Sequence, residues 1–225
     1  MNSAIAFYRS SIGKKAVMAV TGLILFGFVL VHMIGNLKLY QGQAKFDHYA
    51  EALRELGAPF FGYGQFLWIA RIALLVAVVL HIHAALVLTR QNRRARSVAY
   101  EVKETLQASY AARTMRWSGV ILLLFVLYHL AHLTTGWAHP DFEPGKVYQN
   151  VVVAFQIPWV AVLYIAANLA LGLHLFHGLW SLFQSLGWNH PKLNPWRRRF
   201  AVVFATAVTL GNVSLPIAVL LGVVR

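Results

Sequence analysis

The sequence predicts an all-α membrane protein of five transmembrane helices, four forming a bundle and one packing outside it. Three observations predict it. Charged residues make up only 12% of the chain, against about 25% in soluble domains, and the mean hydropathy is +0.59. Five apolar runs are each long enough to cross a hydrocarbon core about 30 Å thick, which needs roughly 20 helical residues. The basic residues fall in the short connections between those runs, as the positive-inside rule requires of a multi-span chain.

The expected spans are 16–39, 66–89, 117–137, 157–183 and 200–224. Lys14 and Lys15 precede the first, which gives it the look of a signal peptide. Its apolar run, 16–37, is too long for such a region and no A-x-A pattern follows, so it is expected to stay as the first span. The connections 40–65 and 90–116 are the longest, with amphipathic helices expected at 47–56 and 98–110. Pro158 stands at the start of the fourth span, where proline is tolerated, and Pro216 lies inside the fifth. Nothing between the spans is long enough for a soluble domain, so 1–225 reads as a single integral membrane domain.

Fourteen of the 20 Lys and Arg residues fall on one side of this topology: Arg9, Lys14 and Lys15, the cluster from Arg90 to Arg116, and Lys192 with Arg197 to Arg199. The N-terminus is therefore expected in the cytoplasm and the C-terminus outside, in the inner (cytoplasmic) membrane. The same distribution accounts for the net charge of +13 without a nucleic-acid partner. The lack of cysteine excludes disulfides, Cys-ligated iron–sulfur clusters within this chain, c-type haem attachment and a thiol nucleophile.

Seven of the ten histidines lie within the expected spans: His32, His81, His83, His129, His132, His174 and His177. Each of the first four spans carries at least one and the fifth none. A lone intramembrane histidine is most simply a hydrogen-bonding core residue. A set spread over four helices is a functional candidate, because ionisable groups are costly in lipid. Depth sorts them. His32 and His129 lie past the midpoints of two outward-running helices, and His81 and His174 past the midpoints of two inward-running ones. Two layers result, roughly 10 Å apart along the membrane normal. Paired histidines can supply both axial ligands of a haem iron, whereas zinc would want three or four protein ligands. The expectation is two b haems: an outer one on His32 and His129, an inner one on His81 and His174.

Smaller signals fit this scheme. Gly22 precedes His32 as Gly119 precedes His129, with nine residues between in both cases, which marks a weak internal repeat. Gly22 and Gly119 fall near the inner layer, and Gly35, Ala85 and Gly178 each follow a histidine by three or four residues; small residues leave room for a porphyrin. Apart from Lys38 at the outer end of the first span, Arg71 is the one cation inside a span. It lies about 15 Å to the outer side of His81, where it either pairs with a haem propionate or reaches the interface.

These residues resemble the membrane cytochrome b subunit of succinate:quinone oxidoreductases and fumarate reductases, in its single-chain, five-helix, two-haem form. The resemblance rests on Ser11-Ile12-Gly13-Lys14-Lys15, His32-Met33-Ile34-Gly35-Asn36-Leu37, His81 followed by Leu88-Thr89-Arg90-Gln91-Asn92-Arg93, Arg116-Trp117-Ser118-Gly119 with Tyr128-His129-Leu130, and His174-Leu175-Phe176-His177-Gly178-Leu179-Trp180-Ser181. It covers roughly residues 8 to 200.

The resemblance implies a flavoprotein partner with FAD that oxidises succinate, and an iron–sulfur partner that docks on the basic cytoplasmic loops. It also implies two haems that pass electrons to menaquinone or ubiquinone near the outer haem. This chain would not itself bind the dicarboxylate. Carried over by position, the axial ligands are again His32, His81, His129 and His174. His83, His132 and His177 remain as competing ligands or as contacts to a propionate or quinone. Tyr40, Gln65, Arg71, His132 and Trp137, with Glu51 and Glu55, are the polar and interfacial groups on hand for an outer quinone site. The fifth helix leaves a surface free for a second copy of the complex. Two other readings stay open on the residues alone: the cytochrome b subunit of a formate dehydrogenase or hydrogenase, and a transporter with a histidine proton relay.

Overall fold

The computed structural model describes residues 6–8, 10–94, 110–188 and 190–225, the side chains of 110–114 excepted. Among them, five helices are long and apolar enough to cross a membrane, and no strand is present. The chain is a multi-pass helical membrane protein.

Helix α1, Ser11–Asn36, starts where Ser10 Oγ accepts from the amide of Gly13 (2.9 Å), satisfying one of the donors that a helix N-terminus leaves free. A 3₁₀ turn, Leu37–Gln41, leads into α2, Gln43–Glu55, which lies over the bundle end and buries Phe46. Helix α3 is Gln65–Arg94 and α4 is Tyr110–Leu133. A short α5, Val147–Gln156, runs into α6, Pro158–Ser185, across a break at Ile157. Helix α7, Asn194–Leu220, has proline in its first turn and continues through Pro216.

The expected spans match these helices in number and order and differ at their ends. Helix α4 stops at Leu133 rather than running to 137, because the chain turns at Gly136, where φ is 77°. Helix α7 begins six residues before 200, so Arg197, Arg198 and Arg199 are helical rather than in a loop. The helix expected at 47–56 is α2, four residues longer at its start. The helix expected at 98–110 lies outside the described residues, except that Tyr110 opens α4. Arg9, Arg96, Lys103 and the side chain of Arg113 lie outside them as well.

Packing follows a simple plan. Helix α1 lies along α3, α4 along α6, and α7 along α6, with lighter contacts of α1 to both α6 and α7. One end of the bundle carries Lys14, Lys15, Arg90, Arg93, Arg94, Arg116 and Arg197 to Arg199; it is called the basic end below, and the opposite end the far end. Buried side chains gather in two places. At the far end Leu39, Phe46, Tyr148, Phe155, Val160 and Leu215 join α2, α5, α6 and α7. Nearer the bundle middle Met33, Leu175, Ala205 and Val208 seal α1, α6 and α7. Hydrogen bonds tie the far end down: Tyr40 to Ser214 Oγ (2.8 Å), the Tyr148 amide to Asp47 Oδ1 (2.9 Å) and the Tyr148 hydroxyl to Arg225 O (2.9 Å).

Candidate functional site: two histidine pairs across the bundle

The α1/α3 pair and the α4/α6 pair face each other, and histidines reach between them. His32 of α1 meets His129 of α4 with ring centroids 5.9 Å apart. His81 of α3 meets His174 of α6 at 6.4 Å. Metal–imidazole bonds are about 2 Å long. With about 1 Å more from nitrogen to ring centre on each side, two imidazoles on opposite faces of one metal have centroids roughly 6 Å apart. Both pairs stand at that separation. Among the described residues no group of three or more His, Cys, Asp or Glu side chains converges. Each pair therefore suits a metal that brings its own equatorial ligands, as haem iron does.

The basic-end pair is held by hydroxyls on neighbouring helices. Thr21 Oγ1 lies 3.2 Å from His81 Nδ1, and Ser118 Oγ lies 3.2 Å from His174 Nδ1. Thr21 donates to Val17 O (2.7 Å) and Ser118 to Met115 O (3.0 Å). A hydroxyl has a single proton; given to those carbonyls, it leaves the hydroxyl as the acceptor toward each imidazole. Both histidines then carry their proton on Nδ1 and keep the Nε2 lone pair for a metal. The residues following the hydroxyls are Gly22 and Gly119. A Cβ on Gly22 would lie 3.4 Å from His81 Cε1, and one on Gly119 3.8 Å from His174 Cε1. A methyl group at either position would already touch the imidazole.

The internal repeat thus has a structural form. In α1 a hydroxyl and a glycine support one layer and His32 enters the other; in α4 Ser118, Gly119 and His129 do the same. The eleven residues from Thr21 to His32 separate the layers by about 16 Å of helix. That is wider than the rough 10 Å expected from span midpoints, because helices of unequal length are not centred on one plane.

The far-end pair sits in a more aromatic setting. His32 stacks on Phe28 with centroids 5.2 Å apart. His129 Nδ1 lies 3.3 Å from the hydroxyl of Tyr164, a residue of α6 that also lies 3.0 Å from His132 Nδ1. His132 is fully buried, stacked on Tyr128 and on His139 at 5.0 Å each, and its Nε2 has no hydrogen-bond partner. Beside it opens a cavity of about 390 Å³, lined by His132, Trp137, His139, Pro140 and Trp159 among others.

The remaining expected site residues fall elsewhere. His83 Nδ1 takes part in a 2.6 Å hydrogen bond with Tyr8 at the basic end. His177 is partly buried one turn beyond His174. Arg71 is exposed, its guanidinium over the ring of Trp68, 5.0 Å from the centroid. Gln65 Oε1 accepts from the Gly62 amide, and Glu51 pairs with Arg54 and accepts from Tyr63; the last bond pushes the Tyr63 phenol up from its usual range. Of the groups considered for an outer quinone site, His132 and Trp137 come together. Thr21, Tyr164 and His139 are not among the expected site residues, and Ser118 stands there only as part of the Arg116-Trp117-Ser118-Gly119 motif. The glycines of the repeat could have pointed to Thr21 and Ser118, which stand directly before them.

The family model for the succinate dehydrogenase/fumarate reductase transmembrane subunit matches residues 89–213. The chain belongs to this family. No curated protein and no solved structure matches it. A succinate dehydrogenase/fumarate reductase membrane subunit works within an oxidoreductase complex, together with that complex's other subunits. The matched stretch includes His129, Ser118 and His174 and thus half of each histidine pair. Membership sets aside the formate dehydrogenase, hydrogenase and transporter readings.

Proposed function

We propose that this subunit is a di-haem cytochrome b that carries electrons between an iron–sulfur partner and a membrane quinone. The observation that carries the reading is the double bridge: His32 with His129 and His81 with His174, each at the spacing of two imidazoles sharing one metal. Bound haem supplies a one-electron iron centre at each level.

The chain's own residues do the rest. His81 and His174 present Nε2, with Thr21 and Ser118 fixing their tautomers. Gly22 and Gly119 leave space beside those imidazoles. Tyr164 takes the hydroxyl's part beside His129. His32 and His129 form the far-end ligand pair, with His83, His132 and His177 outside the ligand set.

The basic end would face the cytoplasm, by the positive-inside rule, and receive the iron–sulfur subunit, itself reduced by an FAD-bearing flavoprotein that handles the dicarboxylate. Ubiquinone or menaquinone would react at the far end, so that electrons cross most of the membrane. The test is a titration of the purified complex by optical spectroscopy with succinate as reductant. Reduction of b-type haem by succinate, and its reoxidation by added quinone, is expected. Haem that responds to neither would contradict the relay.

A further inference from the structure

The far-end cavity has two histidines in its wall, and only one has a nitrogen to offer. His139 Nδ1 accepts from the Asp141 amide (3.1 Å), so Nε2 carries the proton and donates to Asn150 O (2.9 Å). His132 has one nitrogen engaged, Nδ1 with Tyr164, while Nε2 is buried and unpartnered. A buried polar atom without a partner is unfavourable; beside a cavity, it marks where a ligand atom belongs.

The bonding around Tyr164 decides which atom that is. Its hydroxyl stands 3.3 Å from His129 Nδ1 and 3.0 Å from His132 Nδ1, with one proton to give. A His129 that binds metal through Nε2 must carry its proton on Nδ1, so it donates to Tyr164. Tyr164 then donates to His132 Nδ1, and His132 carries its own proton on Nε2. The unpartnered atom is therefore a donor, and it needs an acceptor. Trp137 and Trp159, both largely exposed, line the cavity's open side with aromatic surface, and its volume is about 390 Å³.

We propose that His132 Nε2–H is the hydrogen-bond donor to a quinone carbonyl held in this cavity, and that Tyr164 is the positioning residue that sets it as a donor. The proposal rests on the di-haem reading above, which supplies both the ligand role of His129 and the quinone. A flat ring with a carbonyl at its edge meets the aromatic side chains and the His132 donor together.

The test uses the purified complex and two probes, a decyl-substituted benzoquinone and 2-methyl-1,4-naphthoquinone. Their dissociation constants and the haem content are measured for His132→Phe, His132→Gln and Tyr164→Phe. His132→Phe keeps an aromatic ring and loses the donor; it should weaken the tighter probe about tenfold with both haems retained. His132→Gln keeps an N–H and should stay within about threefold of the parent. Tyr164→Phe should weaken binding severalfold, and should do nothing further in the His132→Gln background, where the donor no longer depends on a tautomer.

Unchanged binding in His132→Phe, or in Tyr164→Phe where His132→Phe cannot be isolated, overturns the proposal. So does equal weakening by Phe and Gln, and so does loss of one haem from His132→Phe, which would make His132 an iron ligand. A parent complex that holds no haem would instead defeat the di-haem reading, whereas one that holds both haems and binds neither probe overturns the proposal alone.

Discussion

The hydroxyl of Thr21 on α1 lies 3.2 Å from Nδ1 of His81 on α3. Ser118 of α4 stands at the same distance from His174 of α6. One layer of the bundle is thus supported from both sides by the same device. A hydrogen bond donated from Nδ1–H makes an imidazole a stronger electron donor through Nε2, which favours the oxidised metal. Thr21→Val and Ser118→Ala should each raise the midpoint potential of one haem by on the order of 40 mV, the equivalent of a net hydrogen bond of about 1 kcal/mol. Potentiometric titration of the complex reads this directly. Both haems moving together, or neither, would contradict the assignment.

Gly22 and Gly119 flank the same imidazoles. Gly22→Leu or Gly119→Leu places a side chain where the basic-end porphyrin would lie. The expected outcome is one haem per chain instead of two, with the far-end haem's spectrum intact. Pyridine haemochrome quantitation checks it, and retention of two haems would show that the porphyrin does not pass these positions.

Where α6 crosses α7, a Cβ on Gly172 would collide with Thr209 Oγ1. Close approach of backbones through small residues is a common way for membrane helices to associate. Gly172→Val should destabilise the chain by about 1–3 kcal/mol, seen as a lower thermal midpoint in detergent. Gly172→Ala should be partly rescued by Thr209→Ala, and strictly additive effects would argue against the crossing.

Arg197 is 1% exposed. It donates to Trp188 O and lies over the ring of Trp180, 4.8 Å from the centroid. The stack ties the start of α7 to α6. Arg197→Lys keeps the charge and loses the flat face, so it should cost about 1–2 kcal/mol. A double-mutant cycle with Trp180→Leu should return a coupling near 1 kcal/mol. Thermal midpoints give both figures, and a coupling near zero would remove the stack from the account.

The five helices were legible because lipid imposes a length on every crossing segment, and their order followed from the apolar runs alone. Their ends were less so. The arginines at 197–199 read as a loop by charge, whereas the helix keeps them within its first turns and stacks one on Trp180. Helix α5 was not foreseen, since its short apolar run merges with the span after it. In the candidate site, histidines were conspicuous against an apolar background, and helix rise was enough to sort them by depth. Hydroxyls and tyrosines carry no such contrast. Thr21, Ser118 and Tyr164 are ordinary membrane-helix residues until a structure places an imidazole beside them. His139 lies outside the spans, where depth says nothing.

Counting haem tests the central claim most directly. A reduced-minus-oxidised spectrum with pyridine haemochrome quantitation on the purified complex should give two b haems per copy of this chain. His32→Ala and His129→Ala should each remove the same haem, and His81→Ala and His174→Ala the other. A parent protein without haem, or one that keeps both haems when any of these four histidines is replaced, would contradict the account.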